Sequence, residues 1–182
     1  MKRELNIDKS WTLFLDRDGV INEKLENDYV KTWDEFTFKY GALEAIVGLG
    51  RIFGRILVVT NQRGVGLGLM AEEMVNEIHS KMCFEVVRAH GKIDKVYYCT
   101  GIDENSACRK PNIGMGLRAK SDFPEIEFSK SVMVGDSISD LEFGKNLGMK
   151  TIYVGSPKET IELDGLVVFE SLFVFYKNQI IV

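Results

Sequence analysis

Prolines, cysteines and histidines are scarce in this chain, and each scarcity narrows what it can be. Only three prolines occur in 182 residues, Pro111, Pro124 and Pro157, all at predicted loops or element ends. None marks an inter-domain linker, and the length suits one domain over residues 1–182. The cysteines Cys83, Cys99 and Cys108 are odd in number and suggest no disulfide framework, so a cytoplasmic protein with reduced thiols is the simplest expectation. His79 and His90 fall within and near the end of a predicted helix, away from any motif, and both are expected to be structural. A basic excess is missing too. The net charge of −4 and pI near 5.3 offer no broad electropositive surface to a nucleic acid or an anionic membrane. No apolar run follows the charged first residues, so no signal peptide is expected. The apolar stretch from Leu166 to Val182 carries Glu170 and Lys177 and is shorter than the ~20 residues of a membrane span. It reads as a last strand, Leu166 to Phe169, followed by a helix.

What is present is a repeated alternation of short apolar strands with amphipathic helices. Trp11 to Leu15, Arg55 to Thr60, Ile93 to Cys99, Ser131 to Val134 and Thr151 to Val154 have the length and β-branched or aromatic content of buried strands. Helices are predicted over Gly41 to Phe53, Ala71 to His90, Ile113 to Ala119 and from Asp140 to Leu147. Strands and helices in this rhythm imply a parallel sheet covered on both faces, a three-layer α/β/α Rossmann-like arrangement. The stretch from Glu23 to Tyr40 lacks helical periodicity, and alternation at Phe36 and Phe38 suggests a small hairpin over the end of the first strand. Gly64, Gly66 and Gly68 read as a flexible loop, with the wrong spacing for a dinucleotide-binding turn.

Polar clusters sit where the strands end, which is where parallel sheets bind ligands. The first strand runs into Asp16-Arg17-Asp18-Gly19, where a period of two aims both carboxylates at one spot and turns Arg17 away as a surface charge. An Asp-Gly stop is also an ordinary turn. The recurrence decides between the two readings: Thr60-Asn61-Gln62-Arg63 closes the second strand, Cys108-Arg109-Lys110-Pro111 follows the third, and Gly135-Asp136-Ser137 with Asp140 follows the fourth. Crowded carboxylates repel one another, and an oxygen-only set with room for water and phosphate suits Mg²⁺. Thr60 and Lys110 would supply donors for a phosphoryl group. An ordinary aspartate is ionised at neutral pH and can attack phosphorus directly, whereas a second carboxyl that protonates a leaving alkoxide needs a raised pKa.

These four motifs, in this order, resemble those of the haloacid dehalogenase superfamily of aspartate-nucleophile phosphatases, over roughly Trp11 to Val154. Within it the chain is similar to the branch of heptose 1,7-bisphosphate and histidinol-phosphate phosphatases. The resemblance implies Asp16 as nucleophile and Mg²⁺ ligand. It implies Asp18 as general acid/base with its carbonyl on the metal, Asp136 completing the metal site and Asp140 supporting it. Thr60 and Asn61 would hold the phosphate, Lys110 would bridge phosphate and nucleophile, and Gln62, Arg63 and Arg109 would contact the rest of the substrate. It also implies almost no cap domain. One departure stands out. Where this branch often carries a zinc loop of Cys-x-His and Cys-x-Cys, the chain has Cys99-Thr100-Gly101 and Ser106-Ala107-Cys108, too few ligands for a structural zinc. The expected function is therefore Mg²⁺-dependent hydrolysis of a small phosphorylated substrate by a monomer, with a heptose bisphosphate first. Arg63 and Arg109 suit a second anionic group, which favours a bisphosphate over histidinol phosphate. A nucleic-acid 3′-phosphatase and a catalytically silent phospho-ligand binding module are the rival readings.

Overall fold

The apolar segments assemble into one parallel sheet in the computed structural model, which describes residues 7–156 and 166–180. The charged first residues, Pro157 and the stretch leading up to residue 165 lie outside the described residues. Six strands, β1 (Thr12–Leu15), β2 (Arg55–Asn61), β3 (Lys95–Cys99), β4 (Ser131–Gly135), β5 (Lys150–Val154) and β6 (Val167–Phe169), stand in the order β3-β2-β1-β4-β5-β6. All five pairings are parallel. The connecting helices are α1 (Ala42–Ile52), the single turn α2 (Arg63–Gly66), α3 (Glu72–Arg88), α4 (Gly114–Asp122), α5 (Ile138–Leu147) and α6 (Leu172–Ile180).

Side-chain alternation along β1 sets the layers. Leu13 and Leu15 face a core shared with Ile46 and Leu49 of α1, Ile78 and Val86 of α3 and Phe175 of α6. Phe14 faces the opposite core, with Met115 and Ala119 of α4 and Phe143 of α5. The result is the three-layer α/β/α arrangement expected from the strand and helix rhythm. From β1 the chain moves outward through β2 to β3, then returns to place β4 on the other side of β1. That reversal opens a crevice at the carboxyl ends of β1 and β4, where Asp16 and Asp136 leave the sheet. Helix α5 begins there with a capping box: the Asp140 carboxylate accepts from the Ser137 backbone N–H at 3.1 Å.

Two local expectations fail. Phe36 and Phe38 form no hairpin: one antiparallel bridge, Asn22 to Phe38, is all that pairs. The aromatic rings pack on one another instead, Trp33 stacked on Phe36 at 4.9 Å and Phe36 edge-on to Phe38 at 5.0 Å. The glycines after β2 do not make an open loop either, because Arg63–Gly66 closes a helical turn with the Leu67 N–H donating to the Arg63 carbonyl.

The expected reduced thiols are also overturned. Cys99, at the end of β3, and Cys108, ahead of Arg109-Lys110, are joined in a disulfide with a Cα separation of 5.5 Å. The odd count misleads because Cys83 stands apart on α3 as a free thiol. With that bond present, the argument from reduced thiols to a cytoplasmic location loses its support. No helix among the described residues is long and apolar enough to cross a membrane.

Candidate active site

Asp16, Asp18, Thr60, Asn61, Lys110, Asp136 and Asp140 all line one pocket of about 230 Å³ at the carboxyl ends of β1, β2 and β4. Residues from four separate segments meet there because parallel strands end on the same edge of the sheet. The centre of the pocket is Lys110. Its ammonium donates to Asp16 Oδ1 at 2.8 Å, Asp140 Oδ1 at 2.6 Å and the Val59 carbonyl at 2.7 Å, which uses all three of its donors. Burial disfavours its charge, but Asp140 and Asp16 outweigh burial and hold its pKa above the ordinary lysine value. Asn61 fixes the loop that carries it. The Asn61 side chain accepts from the Lys110 N–H at 3.0 Å and donates to the Lys110 carbonyl at 3.1 Å.

Asp16 is almost fully enclosed. Burial pushes its carboxyl up to about 7 against the pull of Lys110, with Asp140, Asp136 and Asp18 adding to the rise. This departs from the ordinary aspartate expected of the sequence, and the cause is a low-dielectric site shared with other acids. Asp18 departs in the opposite direction from the raised value a general acid calls for. Burial opposes its charge most strongly of any single influence, but the charge of Arg17 and hydrogen bonds from Asn22, Arg17 and Gln62 together outweigh it and hold the carboxyl below the usual range. Arg17 reaches Asp18 Oδ1 at 2.7 Å and Oδ2 at 2.9 Å, Asn22 donates at 2.9 Å, and Gln62 Nε2 donates to Oδ2 at 2.9 Å.

Arg17 is therefore no surface charge. It is wholly buried, and its other terminal nitrogen lies 3.1 Å from His79 Nε2 on α3, so His79 does neighbour a motif after all. β1 ends at Leu15, and the strand period that turned Arg17 outward does not extend past it. Gln62 is turned inward as well, with only 1% of its surface exposed, its amide spanning Asp18 and the Thr60 hydroxyl. That leaves Gln62 no surface for contacting substrate. Arg63 is exposed on α2 and Arg109 is half-buried, and neither lines this pocket.

Asp16, Asp136 and Asp140 each offer a carboxylate oxygen, all within 4.8 Å of one another. Asp140 is already engaged by Lys110 on one oxygen and Ser137 on the other. Asp16 keeps one oxygen clear of Lys110. Asp136 is paired with Lys24, whose ammonium lies 2.9 and 3.2 Å from its oxygens. Lys24 went unnoticed in the sequence because it stands in a polar stretch without periodicity. When every acid is ionised, Asp16, Asp18, Asp136 and Asp140 outnumber Arg17, Lys24 and Lys110 by one negative charge. Hard oxygen donors with a residual negative charge fit a small divalent cation.

Gly19 makes this approach of Asp136 possible. Its φ of +91° suits glycine, and a Cβ built there would fall on the Asp136 carboxylate. Gly19→Ala is expected to add about 1–3 kcal/mol of backbone strain and to displace Asp136. A lower melting temperature and a calorimetric Mg²⁺ titration weakened at least about tenfold, some 1.4 kcal/mol, should result. An unchanged titration would contradict the geometry.

Residues 107–165 match the HAD-hydrolase-like family model. D-glycero-alpha-D-manno-heptose-1,7-bisphosphate 7-phosphatase of Mycobacterium tuberculosis is 41% identical over 138 residues, 75% of this chain and 73% of the relative. The beta-heptose 1,7-bisphosphate 7-phosphatase of Pseudomonas aeruginosa is 33% identical, over 88% of this chain and 92% of its own. The crystal structure of D,D-heptose 1,7-bisphosphate phosphatase from B. bronchiseptica, complexed with magnesium and phosphate, superposes with a TM-score of 0.84 at 30% identity, covering 93% of this chain and 98% of that one. With a pocket of acidic residues and a buried lysine at the switch point of its sheet, and relatives this similar along most of its length, the chain belongs to the haloacid dehalogenase-like hydrolases, among the phosphatases of that family.

Proposed function

We propose that this chain hydrolyses a phosphomonoester through an aspartyl-phosphate on Asp16, with Mg²⁺, and that its substrate is D-glycero-D-manno-heptose 1,7-bisphosphate. The observation that carries the reading is the Lys110 cluster. A buried lysine held between Asp16 and Asp140 keeps one Asp16 oxygen engaged and leaves the other to act. The substrate is inferred from the activity named for the relatives.

Asp16, Asp136 and the Asp18 carbonyl would hold Mg²⁺, with Asp140 behind them. The cation would polarise the phosphoryl oxygens and favour the ionised form of the acids around it. Asp16 then attacks phosphorus, forming its O–P bond as the bond to the leaving oxygen breaks. Lys110 offsets charge on the transferring group, and the Thr60 hydroxyl, which accepts from Gln62, keeps its own proton to donate to a phosphoryl oxygen. Asp18 gives its proton to the leaving alkoxide. The substrate's own negative charge favours the protonated form of Asp18, in opposition to Arg17. Water next attacks the aspartyl-phosphate, Asp18 takes its proton, and Asp16 is released. Arg63 and Arg109, outside the pocket, would meet the second phosphate. One chain supplies every group, in keeping with a monomer.

The test is turnover of the purified protein on both anomers of heptose 1,7-bisphosphate, histidinol phosphate, a DNA 3′-phosphate and para-nitrophenyl phosphate, with and without Mg²⁺. One heptose anomer is expected to exceed every other substrate in kcat/KM by at least about tenfold, some 1.4 kcal/mol of discrimination. Preference for histidinol phosphate or DNA would overturn the substrate, and no Mg²⁺-dependent turnover of any of them would overturn the enzyme.

A further inference from the structure

The groups described so far leave one buried histidine without a task. His79 sits on the inner face of α3, 6% exposed, 62 residues from Arg17 in sequence and 3.1 Å from it in space. Arg17 divides its donors between two partners. Its Nε and one terminal nitrogen reach Asp18, and the other terminal nitrogen reaches His79 Nε2. A guanidinium only donates, so Nε2 is the acceptor and the ring is neutral with its proton on Nδ1. Burial, reinforced by the charge of Arg17, pulls His79 down to about 3 and keeps it neutral, against a weaker opposing effect of Asp18.

We infer that His79 is a positioning residue for the reaction: by accepting from the far side of the Arg17 guanidinium it fixes the plane in which Arg17 grips the Asp18 carboxylate. A planar fork bound on both edges has one orientation. Without the acceptor on α3, a wholly buried donor of Arg17 loses its partner and the guanidinium turns to find another. Asp18 moves with it, because three of its hydrogen bonds come from Arg17. The Tyr98 ring, 5.4 Å from the imidazole, limits how His79 itself can turn. The Lys110 cluster shares no hydrogen bond with this relay, and Asp18 reaches the phosphate side through Gln62, whose amide also donates to the Thr60 hydroxyl.

The inference rests on Asp18 acting as the acid for the leaving oxygen, and the experiment separates the two. Kcat/KM is measured on heptose 1,7-bisphosphate, whose alkoxide needs a proton, and on para-nitrophenyl phosphate, whose phenolate departs without one. His79→Leu removes the acceptor, and His79→Gln restores one in nearly the same place. General acid catalysis contributes roughly 10²–10⁴-fold, so a misplaced acid forfeits part of that. His79→Leu is expected to lose at least about tenfold on the heptose ester and under about threefold on the aryl ester, with His79→Gln near the parent on both. Asp18→Asn is the control and should separate the two esters more widely still.

Equal losses on both esters, no loss on either, or a glutamine variant as selective in its damage as the leucine one would overturn the role of His79. Because the comparison is between two substrates on one preparation, a destabilised variant does not obscure it. If Asp18→Asn fails to separate the esters, the acid assignment falls first and the positioning role falls with it. If Asp18→Asn separates them and His79→Leu does not, only the positioning role falls.

Discussion

Asp16→Asn is expected to lose turnover by about 10⁴-fold or more, the scale on which removal of a nucleophile acts, while the metal-free protein melts no lower than the parent. The first half follows from the role of nucleophile proposed for Asp16. An amide nitrogen or carbonyl cannot replace a carboxylate that bonds to phosphorus, and no other carboxylate in the pocket is both near and unengaged. Asp140 is held by Lys110 and Ser137, and Asp18 by Arg17, Asn22 and Gln62. The second half follows from electrostatics. Burial pushes Asp16 up to about 7, against 3.8 for an unperturbed group, so at pH 8 the native state carries a charge that the unfolded state accommodates more easily. A folded-state pKa above the unfolded one means that ionisation costs stability as pH rises past the unfolded value. Asparagine removes that cost and still accepts from Lys110. Turnover assays and melting in chelator at pH 8 check both halves. In Mg²⁺ the order of melting should reverse, because the parent gains more from a bound cation than the variant does. Retained turnover, or a large loss of stability in chelator, would contradict this account of the site.

Lys110→Met is expected to damage both properties at once. The side chain is 1% exposed, and its partners Asp16 and Asp140 are 10% and 2% exposed. Removing one member of a buried ionic cluster typically costs about 3–5 kcal/mol, because the remaining charges stay desolvated and unpaired. In a chain of this size each kcal/mol lowers the melting temperature by roughly 2–4 °C, so a fall of about 6–20 °C is expected. Uptake of a proton by Asp16, whose carboxyl burial already pushes up to about 7, would soften that loss, and the fall should therefore be smaller at pH 5 than at pH 8. Turnover should drop about 10²–10³-fold, the usual consequence of removing a donor aimed at developing charge. Lys110→Arg should rescue neither property, since a planar fork does not reproduce three acceptors grouped around one ammonium. Full activity in the methionine variant would remove Lys110 from the chemistry.

Much of this architecture is legible in the sequence because a parallel sheet writes a strong signal: apolar runs about five residues long, each broken by polar groups at its carboxyl end. The strands form within two residues of their predicted ends, and Asp16, Thr60, Lys110 and Asp136 face one pocket. The failures share a cause. Arg17, Gln62 and Lys24 all stand beyond a strand end or outside any element, where no period relates position to direction. Arg17 then turns inward and Gln62 folds back beneath the pocket, while Lys24 crosses to Asp136 from 112 residues away. His79 shows the complementary limit. On α3 its place on the inner face is readable from the spacing, but the arginine it meets comes from a turn that no pattern positions. The Cys99–Cys108 bond escaped a count that included Cys83.

That bond and the Asn61 amide secure the same short stretch by unlike means. Closing the disulfide removes two electrons and two protons, so its state follows the supply of oxidant and of competing thiols around the protein. The paired contacts from Asn61 to the Lys110 peptide involve no electron transfer and persist through such changes. Cleavage by a dithiol therefore removes the covalent tie at Cys108 and leaves the tether two residues further on in place, which grades the response to a reducing environment instead of making it all or none.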